Sequence, residues 1–151
     1  AAYKLGEEVF QSDTKSLEMT ICAAELGYAD AFGKLGYSYQ EGIAPVQLDM
    51  SKALEFYEIA AKKGSINAHG ILAGFHGKGG NMKESIKHWK VVASAGDQVA
   101  MDYLMNLYKL KLVSKEDLAR TLRDFQSSKN AMKSKDRDDA RAFFASIRTD
   151  G

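Results

Sequence analysis

Three histidines, one cysteine and a lysine set among glycines are the residues of this 151-residue chain whose types could do chemistry. His69 and His76 stand seven apart, which on a helix brings them near one face. Two imidazoles on one face suggest metal ligation or proton transfer. A metal site needs three or four converging ligands, however, and the local spacing offers no third. Packing in a core or groove is the ordinary reading for both rings, and solvent is the ordinary reading for His88, which falls on the outer side of its helix. Cys22 lies between Ile21 and Ala23 and reads as a buried packing residue. No nucleophile signature surrounds it, so a Cys-His pair would have to be assembled by the fold. Gly77-Lys78-Gly79-Gly80 resembles a phosphate loop only in composition. Such a loop follows a strand and runs into Lys-Ser/Thr at a helix start, whereas here Asn81 follows, so a tight turn is expected. The acidic pairs Glu7-Glu8 and Asp138-Asp139 suit helix surfaces or starts. Ser, His and Asp occur in no nucleophile-elbow setting.

The elements that position these residues are predicted to be helices. The chain is 45% hydrophobic and 27% charged with a formal net charge of +1, a globular composition. Its single proline, Pro45, argues against a loop-rich all-β fold. Near-neutral charge argues against a nucleic-acid binder, and no apolar run is long enough to span a membrane. No basic stretch followed by an apolar one opens the chain, and Cys22 cannot form an internal disulfide. The expected compartment is therefore reducing and cytoplasmic, although Ala1 is not an initiator methionine and a targeting segment could lie upstream.

A repeat runs through the first two-thirds. Ala23-Ala24-Glu25-Leu26-Gly27 is followed by Ala31 and Leu35. Ala60-Ala61-Lys62-Lys63-Gly64 is followed by Ala68 and Leu72, and Val92-Ala93-Ser94-Ala95-Gly96 by Ala100 and Leu104. The glycines are 37 and then 32 residues apart, and the anchors after them keep the same offsets. The difference falls in one loop, between Gly42 and Asp49 in one unit and between Gly79 and Asn81 in the next. Each unit reads as two helices. Ala31, Leu35 and Tyr39 stripe the first, which Gly42 ends; Asp49 caps the second, whose buried face carries Leu54, Tyr57, Ala60 and Ala61. Asn81, Ile86 and Trp89 take the places of Asp49, Leu54 and Tyr57 one unit later. Leu5-Gly6 and Val9 suggest the end of an earlier first helix, paired with Leu17 and Ile21 of a second.

The segment from Ala31 to Gly64 resembles the Sel-like repeat, a branch of the tetratricopeptide-type helical solenoids. The resemblance rests on Ala31, Leu35-Gly36, Tyr39, Gly42, Asp49, Lys52-Ala53-Leu54, Tyr57, and Ala60-Ala61 with Gly64. The next unit departs from the pattern at Ala73, His76, Trp89 and Val92. The resemblance implies a right-handed α-α solenoid of stacked antiparallel helix pairs, with about three and a half units over residues 1–111. Gly36 and the double alanine would then be small because helix backbones approach closely there.

Residues 112–151 differ in composition, and all five arginines lie beyond residue 119. Ser114 followed by Asp117 resembles a capping box, and Leu118, Leu122 and Phe125 give the helix an apolar stripe. Ser127 to Ser134 is polar and reads as a frayed helix end or a linker. Ala140, Phe143, Phe144 and Ile147 form a final amphipathic face. The expected structure is a terminal helix pair in which this face folds back near Leu118, Leu122 and Phe125 as a C-terminal capping helix, since an array end must be covered.

The expected function is that of a protein-protein interaction scaffold, with no catalysis, no cofactor, no metal, no nucleic acid and no membrane partner. The resemblance implies that first helices line a concave face. Carried over by repeat register, the partner-binding positions are Tyr37 and Gln40, then Asn67, Gly74 and Lys78, then Asp102, Asn106 and Lys109. The alternatives are a helical enzyme or enzyme appendage using a groove of His69, His76 and Cys22, and a structural unit that self-associates end to end. Gly70, Gly74 and Gly77 weaken their helix by about 1 kcal/mol each relative to alanine. Either neighbouring helices pack close to them, or they leave a shallow groove for a ligand backbone.

Overall fold

The computed structural model describes the backbone of residues 2–149 and the side chains of residues 11–147. Every regular element among the described residues is a helix: α1 Ala2–Glu25, α2 Ala29–Glu41, α3 Met50–Lys62, α4 Ile66–Lys78, α5 Met82–Ser94, α6 Gln98–Lys109 and α7 Lys115–Thr149. The chain divides into two compact units, Ala1–His88 and Trp89–Gly151, with the division inside α5.

The helix boundaries follow local chemistry. Asp49 accepts the Lys52 amide at 3.0 Å, Ser65 the Ala68 amide at 3.2 Å, Asp97 the Ala100 amide at 2.8 Å and Ser114 the Asp117 amide at 3.1 Å. Each side chain thereby satisfies an amide that the first turn leaves unpaired. Asn81 serves α5 in the same way through the Glu84 amide at 3.4 Å. Gly42 ends α2 with φ 65°, and Gly64 turns the chain between α3 and α4 with φ 96°, a conformation that glycine adopts without strain.

In unit 1 the core is built from the repeat anchors. Ala53, Tyr57, Ala60, Ala61, Ala68 and Leu72 form one buried cluster, joined by half-buried Leu54 and Tyr39. Ala24, Ala31 and Leu35 form another, with Leu17, Phe32 and Phe56 against it. The need for a small residue at position 36 is direct, because a Cβ on Gly36 would come 2.8 Å from the Tyr57 ring and 3.1 Å from the Ala53 carbonyl. Tyr57 is 1% exposed and donates its hydroxyl to Gln40 Oε1 at 3.0 Å. Burial first, then Glu41 and Tyr37, raises its phenol above the usual 10.0. Ser85 takes the place of Ala53 one repeat later. It is fully buried and donates to the Ala73 carbonyl at 2.7 Å, which satisfies its hydroxyl.

Unit 2 buries Val92, Ala93, Ala100, Met101, Leu104, Leu107, Val113 and Phe125. Trp89 packs on Tyr103 with ring centroids 5.4 Å apart. The start of α7 is tied to the end of α5 by the Lys90–Asp117 ion pair at 3.0 Å and by Ser128 Oγ donating to the Ser94 carbonyl at 2.7 Å.

Four expectations need correction. The first two helices expected before Leu26 are one, since α1 runs unbroken from Ala2 to Glu25; the side chains of Leu5 and Val9 lie outside the described residues. Cys22 is exposed on α1 rather than buried. His88 is half-buried rather than solvent-facing. The fourth concerns the tail. Ser127 to Ser134 is helical, within a continuous α7, because this stretch contains no glycine or proline to stop a helix. The chain therefore has no slack with which to fold back. Phe143, Phe144 and Ile147 are 62%, 64% and 54% exposed, so they do not cover Leu118, Leu122 and Phe125 as a cap would.

Candidate functional site

The positions expected to meet a partner divide between the two units. In unit 1, Tyr37 on α2 and Asn67 and Lys78 on α4 are exposed. Gln40 is half-buried and already engaged, accepting from Tyr57 and donating Nε2 to Glu41 Oε1 at 2.9 Å. In unit 2, Asp102, Asn106 and Lys109 are exposed on α6, and Asp102 accepts a hydrogen bond from Gln98 at 2.9 Å.

The three glycines of α4 separate into two kinds. A Cβ on Gly77 would lie 3.2 Å from Ser85 Oγ, so close packing accounts for that position. A Cβ on Gly70 or Gly74 would meet nothing within 4 Å. Among the described residues, no neighbouring helix requires those two to be small. With Asn67 and Lys78 they share a stripe of α4 by their spacing, opposite buried Leu72, so α4 presents a strip of nearly bare backbone between two exposed polar side chains.

On the buried side of α4 the histidines converge. His69 Nδ1 and His88 Nδ1 are 2.8 Å apart, a hydrogen bond in which one nitrogen must donate and the other accept. His76 stacks on His88, with centroids 5.7 Å apart and planes 3° apart. Glu58 of α3 completes the group: one donor atom from each of Glu58, His76 and His88 lies within 4.8 Å of the others, and all three residues are half-buried. Burial, and then His69, holds the His88 imidazole below its usual 6.5, so it is a neutral ring with a lone pair at neutral pH. Spacing along the sequence revealed only the His69–His76 pair, because Glu58 and His88 arrive from two other helices. Cys22 is not part of this group; it sits on α1, which packs on α2.

The family model for the Sel1 repeat matches residues 1–28 and 33–65. Two solved structures share the fold. A Sel1 repeat protein from Oxalobacter formigenes aligns at 22% identity with a TM-score of 0.56, over 76% of this chain and 50% of that one. The protein c5321, described as a protective antigen of uropathogenic Escherichia coli strains displaying an SLR fold, aligns at 23% identity with a TM-score of 0.59, over 79% of this chain and 26% of that one. This chain thus spans half the length of the first and about a quarter of the second. No curated protein matches the sequence. The segments that match the Sel1 repeat make up less than half of the chain, and the two solved structures show a shared all-α helical-repeat fold. Among the described residues, no helix is long and apolar enough to cross a membrane.

Proposed function

We propose that this protein is a non-catalytic interaction module whose first helices bind an extended segment of a partner protein, with the α4 strip of exposed Asn67, half-buried Gly70 and Gly74, and exposed Lys78 as the principal contact in unit 1. The Sel1-repeat solenoid fold is commonly a protein-interaction scaffold. The observation that carries the finer reading is the open space over Gly70 and Gly74, flanked by exposed Asn67 and Lys78. Two helix-weakening glycines that no neighbour requires are best explained by something outside the chain that comes close to the backbone. Asn67 can both donate to and accept from a peptide backbone, and Lys78 can meet a carboxylate. Tyr37 extends the contact onto α2. Asp102, Asn106 and Lys109 offer the same chemistry on α6. Gln40 contributes by orienting Tyr57 rather than by direct contact.

The test is to pan a displayed library of random peptides on the intact chain and to measure the recovered peptides by calorimetry against variants. Asn67→Ala and Lys78→Ala are expected to weaken binding, at about 0.5–3 kcal/mol per lost hydrogen bond or charged contact, with unchanged thermal melts. Peptides that bind every variant equally would move the binding surface away from α4.

A further inference from the structure

We propose that unit 1 carries a binding site for a divalent transition-metal ion of the zinc class, formed by Glu58, His76 and His88, with His69 positioning His88. The repeat register supplies the first argument. Offsets of 37 residues for α1 to α3 and α2 to α4, and 32 for α3 to α5, superimpose successive units. They place His69 on Phe32, His76 on Tyr39, His88 on Phe56 and Glu58 on Ile21. In the earlier unit these four positions are apolar or aromatic. Ile21, Phe32, Tyr39 and Phe56 line one cavity of about 380 Å³, with Tyr39 stacked on Phe56 at 5.6 Å. In the later unit all four have become residues that donate or accept a proton or ligate a metal, while Leu17 and Leu35 of the same cavity are matched by Leu54 and Leu72. All three histidines of the chain fall at these positions. Packing alone does not require the exchange, since aromatic rings fill the same place one repeat earlier, and a partly buried imidazole needs partners for both nitrogens.

The geometry supplies the second argument. The donor atoms of Glu58, His76 and His88 come from three helices and lie within 4.8 Å of one another. A tetrahedral ion with bonds of about 2.0–2.1 Å holds its donors roughly 3.4 Å apart, within reach of small side-chain rotations. The His69–His88 hydrogen bond occupies Nδ1 of His88 and leaves its Nε2 as the ring nitrogen available to a metal. A ligating histidine held through its second nitrogen is the usual supporting arrangement. Two imidazoles and one carboxylate suit zinc, nickel or copper rather than magnesium or calcium, which prefer all-oxygen ligands.

The experiment titrates the metal-free intact chain with zinc chloride by calorimetry, and with cobalt(II) by visible absorption. Wild type is expected to take one zinc ion per chain, to show the absorption of cobalt held in a nitrogen-oxygen site, and to show no saturable uptake of magnesium. Glu58→Gln, His76→Tyr and His88→Phe should each weaken zinc binding at least tenfold. His69→Phe should weaken it about ten- to a hundredfold, with His69→Asn, which keeps an acceptor for His88 Nδ1–H, restoring much of the loss. The triple variant His69→Phe, His76→Tyr, His88→Phe carries the side chains of the preceding repeat, so it should retain its helical circular dichroism and bind no zinc there. Absence of saturable zinc uptake by wild type, or equal uptake by the triple variant or by Glu58→Gln, would overturn the proposal.

Discussion

His76 stacks on His88 with ring planes 3° apart, in the positions where Tyr39 stacks on Phe56 one repeat earlier at 19°. The two units of the repeat thus preserve a pair of facing rings while changing what those rings can do. Aromatic packing in one becomes a polar, hydrogen-bonded cluster in the other, and both stand on the same helical frame.

That frame should be most sensitive at Tyr57. Its ring fills the space that Gly36 leaves open, and its hydroxyl bonds to Gln40. Tyr57→Ala is expected to cost about 3–5 kcal/mol, as for other large-to-small core changes, and Tyr57→Phe about 0.5–1.5 kcal/mol for the hydrogen bond alone. Leu54→Ala should cost less than Tyr57→Ala, because Leu54 is only half-buried. Chemical denaturation measures all three; near-equal midpoints would refute the assigned core.

Gly36 and Gly70 should respond in opposite directions to the same change. Gly36→Ala drives a methyl into the Tyr57 ring, whereas Gly70→Ala puts one in open space. The first should lower the melting temperature. The second should raise it, by about 0.5–1 kcal/mol of helix stability. Destabilisation by Gly70→Ala would mean that a neighbour does pack there.

The tail makes a third case. Phe143 and Phe144 are exposed on α7, so Phe143→Asp combined with Phe144→Asp should leave thermal unfolding nearly unchanged, within about 0.5 kcal/mol per site. A docked cap would instead lose several kcal/mol and expose an apolar array end. A large drop in melting temperature would restore the capping arrangement.

The repeat made much of this legible in advance. Asp49, Asn81 and Ser114 cap the helices that follow them, and Gly36 is small for the reason its place in the motif implied. What escaped depends on relations between helices. His88 reads as outward-facing on its own helix; only the offset that aligns Tyr57 with Trp89 also aligns Phe56 with His88 and turns it inward. Glu58 carries no local signal, since its meaning comes from His76 and His88. Cys22 sits in an apolar run that looks buried, yet its side chain is exposed on α1. The polar run from Ser127 to Ser134 suggested a linker by composition, although backbone propensity without a glycine or proline lets a helix continue through it.

Binding on the open strip of α4 is tested most directly by Gly74→Leu, read by both thermal melting and calorimetry with a peptide selected on the wild-type chain. Leucine is a better helix former than glycine, and a Cβ at this position meets nothing within 4 Å. An equal or higher melting temperature is expected, together with at least a tenfold loss of peptide affinity. A Gly74→Leu chain that melts as predicted and still binds the peptide with wild-type affinity would contradict binding on that strip.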